Sequence, residues 1–207
     1  MNKLLVVFRV FTMVRSIFFQ YINRLWFYII GVKYGRNMRV FNKIYISGKG
    51  NIIIGDDFIF TSGANVNPLC RNIRGTMHVP YKHSKILIGN RVGISSACLW
   101  AHESITIGND VNIGGDCLIM DNDAHPQDYR KRRSDYLKRV GWDLYSKELS
   151  SKPIIIDDDV WIGARCQILK GVHIGARSII AAGSVVTKDV PSDVVAGGIP
   201  CKVIKPI

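Results

Sequence analysis

An aliphatic residue returns every six positions at Ile156, Ile162, Ile168, Ile174, Ile180 and Val186, and in a shorter run at Ile107, Ile113 and Ile119. Small or acidic residues often follow at once, as at Gly108, Gly114, Asp157, Gly163, Gly175 and Ala181. Four places after the aliphatic residue comes another small or short one: Val111, Cys117, Val160, Cys166, Val172, Ser178 and Ser184. A helix needs a period near 3.6 and an ordinary strand a period of 2. A strict period of six therefore predicts short strands joined by regular corners, three hexads to a triangular coil. The aliphatic side chain points inward and the fifth position fills the interior near the next bend. Coils of this kind pair edge to edge at about 4.8 Å, so none is stable alone. Scattered Ile-Gly turns in an α/β protein would not keep six consecutive members in phase.

Fainter hexads at Ile54-Gly55, Phe60 and Val66, and at Ile88-Gly89, Ile94 and Trp100, extend the pattern toward the N-terminus, with one extra residue between Ile88 and Ile107. Residues 67–85 hold two prolines and no clear register. The expected organisation is a helical extension over residues 1–45, a repeat domain over 46–190 with an excursion at 126–153, and a tail over 191–207. Cys98, Cys117 and Cys166 take the fifth hexad position, which assigns them to the core rather than to nucleophilic chemistry.

Charge is unevenly spread. Of a formal net +12, Lys3, Arg9, Arg15, Arg24, Lys33, Arg36, Arg39, Lys43 and Lys49 all precede the first acidic residue, Asp56. Large apolar runs such as Leu25-Trp26-Phe27-Tyr28-Ile29-Ile30 lie between these cations. That mixture fits packing or a membrane surface better than nucleic acid. Arg9 and Arg15 interrupt the one candidate for a secretory signal, and no stretch reaches the ~18 uncharged apolar residues of a spanning helix. Residues 1–45 are expected to pack on the domain, on a neighbouring subunit, or on a membrane surface. Five cysteines without metal-type or CxxC spacing point to a reducing compartment, hence the cytoplasm, with the inner membrane face as one address.

The repeat stops at Ile119-Met120-Asp121-Asn122-Asp123-Ala124-His125-Pro126 and resumes near Ile154. Loops that interrupt a rigid solenoid are natural places for chemistry. The excursion carries Tyr129-Arg130-Lys131-Arg132-Arg133, Trp142 and Tyr145, a mixture suited to a polar or acidic ligand. His125 stands at the lip of the last regular strand. A neutral imidazole there can take a proton from an alcohol, and a carboxylate on its other nitrogen, from Asp121 or Asp123, would fix the tautomer.

Asp123-Ala124-His125-Pro126, the segment Ile156-Asp157-Asp158-Asp159-Val160-Trp161-Ile162-Gly163-Ala164, and the closing Val186-Thr187-Lys188-Asp189-Val190-Pro191 with Gly198-Ile199-Pro200-Cys201-Lys202-Val203-Ile204 carry a resemblance. Over roughly residues 86–207 the chain resembles the hexapeptide-repeat acetyltransferases, in particular their sugar O-acetyltransferase branch. The resemblance implies an all-β, left-handed parallel β-helix, a hand that spacing alone does not give. It implies a homotrimer with acetyl-CoA in a groove between neighbouring prisms, no metal, and the residue aligned with His125 as general base. Carried over by position, Trp161 walls the donor site, Gly163 belongs to the same motif, and Ala164 and Ala182 present backbone to the pantetheine arm. Thr187 and Lys188 lie near the adenosine end, and Lys202 and Lys205 face the phosphates. Trp100, His102, Arg130 and Arg133 are the candidate acceptor-binding side chains.

The activity so implied is transfer of an acetyl group to a sugar hydroxyl in a bacterial surface-polysaccharide precursor, lipid-linked acceptors included. The long basic loop after His125 departs from the small-sugar members and leaves the acceptor open. Three alternatives have their own signatures. An N-acyltransferase would act on a nucleotide-linked amino sugar, a metal-dependent hydratase would need histidines clustered on neighbouring coils, and a scaffold would use no site at all.

Overall fold

The structure, a computed structural model, describes residues 3–63, 69 and 73–207. Helix α1 (Lys3–Ile29) is followed by three parallel sheets that the chain visits in rotation. The first sheet stacks Lys33–Tyr34, Asn51–Ile54, Lys85–Ile88, Ser104–Ile107, Ile154–Ile156 and His173–Ile174. The second stacks Arg39–Phe41, Ile59–Thr61, Gly93–Ser95, Asn112–Ile113, Trp161–Ile162 and Ile179–Ile180, and the third runs in the same way from Tyr45–Gly48 to Val185–Val186. The result is a left-handed parallel β-helix with a triangular cross-section.

The expected inward residues are inward. Ile107, Ile113 and Ile119, and Ile156 through Val186 at every sixth place, are all buried, as are the seven short residues from Val111 to Ser184 that follow them at the fifth position. Burial of each such aliphatic side chain stabilises the prism by roughly 1.5–3 kcal/mol. The corners demand residues that tolerate positive φ, and Asp57, Asp110, Asp159 and Asp193 supply it at equivalent bends. Glycine is required where coils touch: a Cβ on Gly108 would lie 2.8 Å from the backbone nitrogen of Asp158.

Four expectations need correction. The prism begins at Lys33, not after residue 45, because Lys33–Tyr34 and Arg39–Phe41 already pair with Ile53–Ile54 and Ile59–Thr61. The segment 191–207 is not a separate tail. Val194–Gly198 continues the second sheet beside Ile179–Ile180, and Cys201–Pro206 folds back on it antiparallel. Thr76–Val79 keeps full register inside the stretch 67–85 that lacks a readable one. Finally, Leu99 and not Trp100 points inward: the bend at Ser96 (φ 41°) is one residue short, so Ala97 fills the interior and Cys98 and Trp100 turn outward. Val66 lies outside the described residues.

The inward cysteines behave as core. Cys117 donates to the Gly163 carbonyl and Cys166 to that of Ala181, and its contact with Cys166, together with burial, pushes the Cys117 thiol up.

Candidate active site

The excursion leaves the prism between the third and first sheets, after Leu118–Met120, and returns at Ile154–Ile156. Its base is pinned. Asn122 and Ser151 form an antiparallel bridge, Lys152 N–H donates to the Asp121 carbonyl at 2.9 Å, and Asp123 N–H to that of Ser150 at 3.1 Å. Asn122 Oδ1 accepts the Ala124 N–H at 2.9 Å, and Ala124 takes φ 60°, a tight turn that delivers the next residue, His125, to the surface. Beyond it, the Arg132 guanidinium staples the loop through the carbonyls of Pro126 and Gln127. Helix α2 (Ser134–Ser146), kinked at Gly141, then carries Tyr145 back under the histidine.

His125 Nδ1 lies 3.0 Å from the hydroxyl of Tyr145, which is 2% exposed. When the imidazole donates from Nδ1 to the phenol oxygen, Nε2 keeps a free lone pair for a substrate proton. This differs from the expected partners. Asp121 is fully buried and spends its carboxylate on the N–H groups of His102 (2.6 Å) and Glu103 (2.7 Å). Burial holds its carboxyl above the ordinary value. Asp123 binds Lys170 and Gln127 instead; burial opposes its charged form, and those two hydrogen bonds outweigh it, keeping the carboxyl below the ordinary range. The spacing of acid and histidine in the sequence thus builds the corner rather than a carboxylate–imidazole pair. Lys170 and the pairing role of Tyr145 lie outside the sequence-level candidates. Tyr145 carried a signal only as one of the aromatic residues of the excursion, and the Trp142 side chain lies outside the described residues.

A cavity of about 480 Å³ opens beside the returning strand, lined by Tyr81, His83, His102, Glu103, Ser146 and Lys147 among others. It begins one residue past Tyr145. The Tyr81 and His83 rings stack with centroids 5.4 Å apart, and His102 meets Tyr81 edge-on at 4.8 Å. Burial, reinforced by His78 and His83, lowers the His102 pKa to about 4, so this imidazole is neutral at neutral pH. Ser151 holds Glu103 at 2.5 Å.

The other candidates are dispersed. Trp100 stands on the third sheet against His78, centroids 5.5 Å apart. The Arg130 guanidinium is engaged by Asp128 through two hydrogen bonds, and Arg133 lies over the Tyr129 ring. Gly163, Ala164 and Ala182 form a row of small residues along the edge between the second and third sheets, close enough that a Cβ on Gly163 would lie 2.5 Å from the Ala182 nitrogen. Exposed Trp161 stands on the face leading to that row, paired with Ile179. Exposed Thr187 and Lys188 belong to a different edge, the one the excursion leaves from, and Lys202 and Lys205 lie on the C-terminal strand of the second sheet. Among the described residues no three His, Cys, Asp or Glu side chains converge to hold a metal ion.

Residues 153–188, the unbroken hexads, match the family described as bacterial transferase hexapeptide (six repeats). Over those residues the chain resembles the hexapeptide-repeat transferases. The chain is 55% identical over 60 residues to a galactoside O-acetyltransferase of Escherichia coli (strain K12), a match covering 29% of this chain and 30% of that protein. It is 57% identical over 56 residues to a 2,3,4,5-tetrahydropyridine-2,6-dicarboxylate N-acetyltransferase of Staphylococcus aureus (strain Newman), covering 27% of this chain and 23% of the relative. The chain thus matches less than a third of the length of either curated relative. Among solved structures, a hexapeptide-repeat containing acetyltransferase of Vibrio cholerae O1 biovar eltor, complexed with acetyl coenzyme A, superimposes with a TM-score of 0.53. It is 29% identical and the match covers 84% of this chain and 71% of that one.

Proposed function

We propose that this hexapeptide-repeat transferase moves an acetyl group from acetyl-CoA to a hydroxyl of a saccharide, with His125 as the general base. The observation that carries the reading is the His125–Tyr145 pair: a surface imidazole at the end of a broken repeat, held through Nδ1 at 3.0 Å by a buried phenol. Nε2 takes the proton of the acceptor hydroxyl as its oxygen attacks the thioester carbonyl carbon. The tetrahedral adduct collapses, the C–S bond breaks, and the proton passes from Nε2 to the departing thiolate. A base so placed contributes roughly 10²–10⁴-fold in rate.

The donor reading draws support from the acetyl coenzyme A bound to the Vibrio cholerae relative and from the row Gly163, Ala164, Ala182. Small side chains along an edge let an extended arm approach the backbone. That row and the His125 edge lie on different corners of one prism, so a groove uniting them needs two copies, which favours a homotrimer with acetyl-CoA between prisms. For the acceptor, the stacked Tyr81 and His83 rings, Glu103 and Lys147 suit a sugar ring carrying hydroxyl or acidic groups, as in a surface-polysaccharide precursor.

The reading is tested by release of free coenzyme A thiol from acetyl-CoA in the presence of saccharide acceptors. His125→Ala should lower turnover by about 10²–10⁴-fold, and Tyr145→Phe should lower kcat while KM for acetyl-CoA stays put. Full turnover in His125→Ala contradicts the assignment. Transfer to an amine instead of a hydroxyl is favoured by the likeness to the Staphylococcus aureus N-acetyltransferase. Amino-sugar acceptors turned over faster than their hydroxyl counterparts would select that reading.

A further inference from the structure

Among its described side chains, helix α1 docks through one side. Phe27 is fully buried in the prism core, Asn23 donates to the carbonyls of Val40 (3.3 Å) and Asn42 (2.8 Å), and Arg24 donates to that of Met38 (3.1 Å). These contacts fix the rotation of the helix about its axis, and with it the opposite face. That face carries Phe11, Val14, Phe18, Tyr21, Leu25 and Tyr28, three and four residues apart in turn, each at least 57% exposed. Ile17, Ile22 and Ile29 flank the row and are exposed as well, so the apolar surface is wider than a coiled-coil seam, which needs one narrow stripe.

The charge along the helix is of one sign. Nine lysines and arginines from Lys3 to Lys49 precede the first acidic residue, Asp56. Arg15 and Arg24 stand at the edges of the row. A second copy laid against this face would bring its own Arg15 and Arg24 toward these two with no acid in either helix to pair them. An anionic bilayer surface supplies the missing negative charge and takes up the apolar side chains, with Tyr21, Trp26 and Tyr28 suited to the headgroup boundary. No described helix is long and apolar enough to cross a membrane.

We propose that the outer face of α1 lies flat in the surface of an anionic bilayer and holds the prism there by its N-terminal end. The acceptor class this favours is a saccharide presented at that surface. The docking itself does not depend on the catalytic reading, since it uses none of the residues placed near His125.

The test is co-sedimentation of the full chain with vesicles of phosphatidylcholine alone and of phosphatidylcholine with phosphatidylglycerol. The chain should sediment with the anionic vesicles, release as salt rises, and leave the zwitterionic ones largely alone. Phe18→Glu with Leu25→Glu should weaken the anionic binding by about tenfold or more, with the far-ultraviolet spectrum and the sedimentation-equilibrium mass unchanged. Failure to bind anionic vesicles, equal binding to both kinds, or a fall in mass in the double variant would overturn the proposal, the last by showing that a second copy covers the face.

Discussion

The coils from Ile154 to Val186 and the stretch from Ile94 to Pro153 share one prism but are built on opposite logics. In the first, each residue's place follows from its position modulo six, every inward side chain is aliphatic or small, and the strands stack in register. In the second, the chain drops a residue at Ser96, gains residues before Ile105, and leaves the prism altogether after Met120. There the buried polar groups include Ser96, His102, Asp121 and Asn122, each held by a particular partner or environment. The difference teaches where chemistry can reside: repetition leaves no position distinct from its neighbours, whereas each break creates a polar group that must be held individually.

That contrast predicts how each region fails. Truncating the repeat, as in Ile168→Ala, removes a fully buried side chain from a stacked core and should cost about 2–5 kcal/mol in denaturant unfolding. Tyr136→Ala in α2, only half-buried, should cost under about 1 kcal/mol in the same measurement. A reversed ranking would break the comparison.

His102 sharpens it on the acid side. Its folded-state pKa, about 4, lies below the ordinary value of 6.5, so the unfolded chain binds the proton first as pH falls. Its contribution is therefore fully present above pH 6.5, is lost as pH falls toward 4, and amounts to at most about 3 kcal/mol. His78, also lowered by burial, acts in the same direction, and Asp121, raised by burial, takes up its proton more readily when folded and so acts in the opposite one. Melting temperatures of wild type and His102→Gln across this range should converge as pH falls. Parallel curves would mean that His102 does not titrate against the fold.

At the corners the expected effect is smallest. Arg91 and Asp110 pair at 2.6 Å with both side chains more than a third exposed, and Arg91→Ala should move the chemical-denaturation midpoint less than either Ile168→Ala or Tyr136→Ala. A larger loss would make the corner ladders, and not the aliphatic stack, the source of regularity.

The same contrast governs what could be read before the fold was seen. Ile156 to Val186 were legible because period six leaves one arrangement, and their burial follows it residue by residue. The slip at Leu99 and Trp100 was not, because Trp100 also keeps the hexad spacing from Ile94, and only the short bend at Ser96 decides between them. Lys33–Tyr34 and Arg39–Phe41 were hidden by their brevity and by cationic outward residues that read as a continuation of the helix. The place of His125 at the break was legible in the sequence. Its partner was not, because Asp121 and Asp123 are near it in sequence, while Tyr145 comes from twenty residues further along.

The central claim, that the break in the repeat serves acetyl transfer from a coenzyme A thioester, is tested most directly by calorimetric titration of acetyl-CoA into the purified chain and its His125→Ala variant. The account predicts micromolar-range binding near one site per chain in both, since His125 serves the reaction and not the donor's affinity. No detectable binding to the wild-type chain would contradict it.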